Sequence, residues 1–160
     1  MPKSKFQKLV NNSFLFRLYL LKSLPMAFVA GIRVKELSDS KAITTIKFGW
    51  LTQNPFRSMY FACQAMAAEM STGILVMNAI NNSSSAISML IIKNKANYFK
   101  KAVGKITFIC ADGDLVSELI IKAKQSEEGV IADMKSIGIE ESGDTVAEFV
   151  FTWSLKRKLK

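Results

Sequence analysis

Between Ala42 and Trp50 the chain alternates in the manner of a strand with two different faces. Thr44, Ile46, Phe48 and Trp50 fall on one side, and Thr45, Lys47 and Gly49 on the other. Val29 to Leu37 reads as the strand before it, with Ser38-Asp39-Ser40-Lys41 as the turn. The end of the chain keeps the same period of two. Ala147, Phe149, Phe151, Trp153 and Leu155 alternate with Val146, Glu148, Val150, Thr152 and Ser154 in a strand over Thr145–Leu155. It follows Val130–Ile139 across Glu141-Ser142-Gly143-Asp144. Ala86–Ile92 and Lys105–Ala111 read as a third pair, joined by the lysine-rich segment Lys93–Gly104. The pattern therefore predicts six strands in three antiparallel hairpins.

Between the second and third strands the period lengthens. Met59, Cys63, Met66, Met70 and Met77 recur at helical spacing with Gly73 on the same stripe, and the other faces are also mostly apolar. A helix from Arg57 to about Ile80, enclosed on nearly every side, is the expectation, with Asn81–Ser85 as the polar loop that ends it. Ser13–Leu24 reads as a helix capped by Ser13 and stopped by Pro25, and Asp114 is expected to cap a short helix from Leu115 to about Ser126, with Gly129 as its stop. A sheet with one apolar face has to cover it, and the long helix is the available cover. The fold class is thus α+β. No repeat, low-complexity stretch or linker divides the chain. Residues 1–160 read as one domain with a helix over about 13–24 and a short basic tail, Lys156 to Lys160, expected to fray.

Composition narrows the chemistry. With 160 residues, 49% of them hydrophobic, the chain can bury a sizeable core. It has no histidine, which removes Ser-His-Asp and Cys-His nucleophile systems, histidine bases and most zinc sites, so no metal is expected. Cys63 and Cys110 both sit in apolar stretches and read as buried thiols in a reducing compartment, the cytoplasm. The formal charge of +9 favours phosphate-bearing partners, without choosing among nucleic acid, lipid headgroups and a nucleotide-bearing ligand. The apolar run Ser13–Gly31 is broken by Arg17, Lys22 and Pro25; an amphipathic helix is expected rather than a membrane-crossing one.

Glu69 is the single carboxylate between Met59 and Ile80. On a helical wheel its neighbours are Ser58, Ala62, Ala65, Thr72, Gly73 and Val76, nearly all small, which leaves room beside the helix. Two readings follow. The small residues could permit close packing on the sheet while Glu69 pairs with a buried Arg or Lys. Alternatively, Glu69 sits in an apolar site with a raised pKa, placed to act as a general base or nucleophile. The free N–H groups in the first turn of the helix would then face a developing oxyanion.

Asn54-Pro-Phe-Arg-Ser-Met-Tyr-Phe-Ala and the later Ala-Ala-Glu69-Met-Ser-Thr-Gly73 resemble the hotdog-fold thioesterase-like superfamily, in a branch of small bacterial proteins classed as a domain of unknown function. The likeness covers about residues 25–156. It implies a hotdog fold, an antiparallel sheet wrapped around a long central helix. In the phenylacetate-type thioesterases of this superfamily an Asn precedes a His-Gly-Gly turn, and an acid follows. Here Asn54 falls at the Asn, Tyr60 at the His, Phe61 and Ala62 at the two glycines, and Glu69 at the acid.

The resemblance implies catalytic roles for Glu69, Asn54 and Tyr60, oxyanion-holding amides at Phe61 and Ala62, and substrate contacts at Ser58, Ala65 and Gly73. It also implies edge-to-edge homodimers or tetramers with the pocket between protomers, and a coenzyme A moiety that arrives as part of the substrate, with no resident cofactor. The cluster Lys93, Lys95, Lys100, Lys101 and Lys105 gains a role in binding coenzyme A phosphates, above all Lys100 and Lys101. A thioester hydrolase for acyl-CoA or acyl carrier protein is the first functional reading. A non-catalytic protein that binds acyl-CoA or a fatty acyl ligand is the second. A basic binder of nucleic acid or anionic membranes is a third class; aromatics interleaved with Lys and Arg for base stacking are missing, so no nucleic-acid partner is expected, nor an integral membrane one.

Overall fold

The structure, a computed structural model, describes residues 4–158. Three helices open the chain: α1 (Lys5–Asn11), α2 (Ser13–Ser23) and α3 (Pro25–Val29). Strands β1 (Arg33–Leu37) and β2 (Ala42–Lys47) follow, then the long helix α4 (Phe61–Asn82). After it come β3 (Ile87–Tyr98), β4 (Lys105–Cys110), α5 (Gly113–Gln125), β5 (Val130–Glu140) and β6 (Thr145–Arg157). The six strands form one antiparallel sheet in the order β1-β2-β4-β5-β6-β3, wrapped around α4.

The inward faces are those the alternation predicts. Ala42, Thr44 and Ile46 of β2 are buried, as are Ala147, Phe149, Phe151, Trp153 and Leu155 of β6. Phe108, Phe149 and Phe151 pack ring against ring at centroid distances of 5.8 and 5.9 Å. This aromatic layer needs Gly138 beside it, since a Cβ there would come within 2.5 Å of the Phe108 ring.

Buried hydroxyls fasten α4 to the sheet at three strands. Thr44 donates to the Ala67 carbonyl at 2.7 Å, Ser71 and Ser136 share a hydrogen bond at 2.8 Å, and the Trp153 indole N–H donates to Thr72 at 3.0 Å. Each satisfies a polar group that burial would otherwise leave costly.

Several boundaries differ from the pattern. The third hairpin does not exist: β3 pairs along its length with β6, from Ile87 opposite Arg157 to Tyr98 opposite Ala147, while β4 lies between β2 and β5. Periodicity fixes which face a strand buries but carries nothing about its neighbour. Much of the lysine-rich connection is therefore strand, with Lys93 and Lys95 on β3. The helix begins at Phe61, not Arg57, because Arg57 adopts a left-handed conformation (φ 59°) within a tight loop. Asn12, not Ser13, caps α2 by accepting from the Leu15 amide. Pro25 opens a further short helix instead of only ending one. Asp114 lies inside the first turn of α5, and Asp112 takes the cap position. Trp50 leaves the buried face of β2 and is exposed in the 3-10 turn Trp50–Thr52. Lys156 and Arg157 belong to β6 and the Lys158 amide donates to the Ala86 carbonyl at 2.8 Å, so the tail expected to fray is paired over these three residues; its last two lie outside those described.

The start of α5 sits against the β1–β2 turn: the Gly113 amide donates to the Ser40 carbonyl, and a Cβ at Gly113 would lie 2.3 Å from the Asp39 carbonyl oxygen. Backbone on the far side cannot give way as a side chain can. Gly113→Ala should lower unfolding stability by about 2–4 kcal/mol in a urea titration. An unchanged midpoint would contradict this packing.

Candidate functional site

The loop before α4 is knitted by one side chain. Asn54 accepts from the amides of Phe56 (2.9 Å) and Ser58 (3.3 Å) and from the Ser58 hydroxyl, and donates to the Met59 carbonyl at 3.4 Å. Short polar residues that bond the backbone two to four positions on stabilise such turns. The Met59 amide then donates to Ala102 and the Tyr60 amide to Thr52, which fixes where the helix begins. Tyr60 occupies the cap without a side-chain cap bond. The Cys63 and Gln64 amides turn back to the Tyr60 carbonyl; those of Phe61 and Ala62 have no acceptor among the described residues. The partial positive end of a 22-residue helix is thus open at these two amides.

Glu69 lies two turns further along. Its carboxylate occupies the space over Gly73, where a Cβ would sit 3.0 Å from Oε1 and 3.5 Å from the Trp153 ring. Among the described residues no Lys, Arg or hydrogen-bond donor reaches that carboxylate, so the pairing with a buried cation is not what holds it. Burial pushes its pKa from 4.5 to about 7. An unpartnered acid in an apolar setting keeps its proton at higher pH because the charged form loses hydration.

Two cavities meet at Glu69. One, of about 350 Å³, runs between α4 and the sheet and is lined by Phe61, Ala62, Ala65, Met66 and Glu69 facing Ile91, Asn94, Ala96, Tyr98, Phe149 and Phe151. The other, of about 210 Å³, is covered by Leu24, Pro25 and Met26 and reaches Met66, Glu69 and Met70. A larger cavity of about 720 Å³ surrounds the helix start, with Asn54, Ser58, Tyr60, Gln64, Lys100 and Lys101 in its wall. Phe61 and Tyr98 belong to both the large cavity and the one along the sheet, so they stand between them.

The residues singled out from the sequence therefore fall into two groups. Glu69, Ala62 and Ala65 line the cavity along the helix; Asn54, Ser58, Tyr60, Lys100 and Lys101 line the one at its start; Phe61 joins them. Gly73 lines neither and makes room for the Glu69 carboxylate. The Lys100 ammonium is held by Asp144 and by Glu140 at 3.1 Å, while Lys101 donates to the Phe56 carbonyl at 3.2 Å. Lys93 and Lys95 are exposed on β3, and Lys105 lies 3.8 Å from Glu141. Among the described residues no three acids or cysteines converge as metal ligands would.

Sequence reasoning missed Gln64, 4% exposed at the helix start, whose Nε2 donates to the Met59 carbonyl while its Oε1 has no partner. An amide side chain in the otherwise apolar first turn of the helix was the available signal. It also missed the α2–α3 junction over Glu69, which no local pattern could announce.

A long helix wrapped by a six-stranded antiparallel sheet defines the hotdog fold. Residues 13–155 match the family described as Domain of unknown function (DUF4442), and the chain belongs to it. A Pseudomonas aeruginosa protein of unknown function, called a probable thioesterase, superposes with a TM-score of 0.74 at 16% identity, covering 99% of this chain and 97% of that one. A thioesterase of Haemophilus influenzae superposes with a TM-score of 0.67 at 13% identity over 89% and 90% of the two chains. A Staphylococcus aureus thioesterase, solved as a Gln-to-Ala mutant, gives 0.65 at 10% identity over 82% and 98%. At these identities the likeness is one of fold. No curated protein matches the chain.

The Glu69 carboxyl makes stability depend on pH. Its folded pKa of about 7 lies above its ordinary 4.5, so the neutral form stabilises the fold below about 4.5 and that contribution fades as pH rises through 7. Wild type should lose about 3 kcal/mol relative to Glu69→Gln between pH 4.5 and pH 8, read by denaturant unfolding at each pH. Parallel curves for the two proteins would place Glu69 in contact with water.

Proposed function

We propose that this protein hydrolyses acyl thioesters carried by coenzyme A or acyl carrier protein, with Glu69 as the catalytic carboxylate. The observation that carries the reading is the state of Glu69: half-buried in an apolar cavity, with no cation or hydrogen-bond donor on its carboxylate among the described residues, and near pKa 7. A base with a pKa close to the working pH is half ionised there and still strong enough to take a proton. The ionised Glu69 removes a proton from a water as its oxygen attacks the thioester carbonyl. Backbone N–H groups at a helix start hold the oxyanion, and collapse expels the thiolate, which takes up the proton. The fold shared with proteins named thioesterases supports the same reading.

Glu69 lies seven positions along the helix from Ala62, a rise of about 10 Å, too far for one carbonyl to meet both directly. A homodimer joined along the open edge of β3 would resolve this by bringing the helix start of one copy to Glu69 of the other. Coenzyme A would enter as part of the substrate, its phosphates near Lys101 and Lys100, and the protein would need no resident cofactor. The free, buried thiols of Cys63 and Cys110 suit the cytoplasm.

A second reading rests on Phe61, whose ring stands where the likeness implies a glycine and lies between the two cavities. If it blocks the carbonyl from the helix start, the protein holds an acyl-CoA or fatty acyl ligand without cleaving it.

Thiol release from acyl-CoAs, acetyl to palmitoyl, separates the two. Glu69→Gln should lower kcat by about 10³-fold, and the wild-type rate should climb with pH through about 7. Full activity in Glu69→Gln would remove the assigned role, and tight binding without release would favour the second reading. Replacing Lys100 and Lys101 together by Ala should raise KM about 3-fold at low salt with kcat unchanged, as loss of two exposed phosphate contacts predicts. An unchanged KM would put the phosphates elsewhere.

A further inference from the structure

Among the described residues, seven large apolar side chains within 14–29 reach solvent. Helix α2 buries Phe16 and Leu20 against the body and turns Phe14, Leu18 and Leu21 the opposite way, where they are 71%, 50% and 52% exposed. Positions i, i+4 and i+7 form one row along a helix, so these three make a continuous outer ridge. Leu24, Met26 and Val29 extend it across the junction and along α3. A surface helix of an ordinary domain carries its polar residues on that side; here both sides are apolar.

The charge around the ridge has one sign. Residues 1–35 contain seven of the 22 cations and none of the 13 carboxylates, the first of which is Glu36. Lys5, Lys8 and Lys22 are exposed on α1 and α2. Beside Ser13, at the start of α2, a cleft of about 450 Å³ is lined by Arg33, Lys35, Lys47 and Lys105. Of these four only Lys105 has an acidic neighbour among the described residues, Glu141 at 3.8 Å. Lys47 and Lys105 lie directly opposite one another across the β2–β4 ladder, an arrangement that costs stability unless an anion relieves it.

The geometry points to the outer face of α2 and α3 as a docking surface for an anionic lipid bilayer. The apolar ridge enters the headgroup boundary and the flanking cations meet lipid phosphates. A second copy of this chain fits the surface badly, since a two-fold contact would set acid-free, cationic segments against each other. The ridge itself offers no directional hydrogen-bonding group, which suits a fluid surface better than a folded partner. Leu24, Pro25 and Met26 also cover the cavity that ends on Glu69, so docking turns that cavity toward the lipid.

Co-sedimentation of the full chain with vesicles tests the proposal without any substrate, so it stands or falls apart from the hydrolase reading. Wild type should bind phosphatidylcholine vesicles containing roughly a quarter phosphatidylglycerol at least ~10-fold more strongly than pure phosphatidylcholine, and release in about 0.5 M salt. Leu18→Glu combined with Leu21→Glu should weaken that binding ~10-fold or more, with the thermal unfolding midpoint preserved because neither side chain packs in the core. Absence of wild-type binding, or equal binding by the double variant, overturns the proposal. So does a change in oligomeric mass of the double variant in sedimentation velocity without wild-type binding to vesicles, because the ridge would then be a contact between copies.

Discussion

A helix that is apolar on nearly every side has to be surrounded, and the rest of this molecule is arranged to surround α4. The sheet supplies most of the wall, but apolar packing alone would let the helix slide or rotate. Three buried hydroxyl contacts from β2, β5 and β6, through Thr44, Ser136 and Trp153, set its height and rotation. Each is worth only about 1 kcal/mol in net stability. Their greater effect is to penalise every other placement, which would leave a buried donor or acceptor unpaired.

That placement decides the state of Glu69. The face of α4 carrying Phe61, Ala62, Ala65, Met66 and Glu69 is the one least covered by the sheet, and it meets β3 and the α2–α3 junction across open space. Because Trp153 is held by Thr72 and Gly73 has no side chain, the carboxylate finds space but no partner. The raised pKa is thus a consequence of helix seating. A cation on β3 facing inward would have paired the acid, but the inward residues there are Ile91, Asn94, Ala96 and Tyr98.

The N-terminal helices connect this site to the surface. They cover one side of Glu69 with Leu24, Pro25 and Met26 and turn a second apolar face outward. The same short segment therefore shapes the chamber and carries cations without a single carboxylate. An apolar chamber and an outward apolar face lie on two sides of one structural element.

Much of this is encoded locally in the chain. Alternation in β2 and β6 names their buried faces, the helical spacing from Cys63 onward locates α4, and the isolation of Glu69 among small residues marks it out, because periodicity and composition act within a few residues. Strand order, the assignment of β3 to β6 and the split of the site residues between two cavities require the whole chain, since pairing partners are chosen by contacts far apart in sequence. The start of α4 at Phe61 depends on Asn54, Met59 and Tyr60 bonding to residues outside the helix. Sequence determined which groups are apolar, charged or capable of acid–base chemistry. Tertiary structure alone decided which of them lost water and which found a partner, because desolvation and pairing depend on neighbours that the chain brings together only when folded.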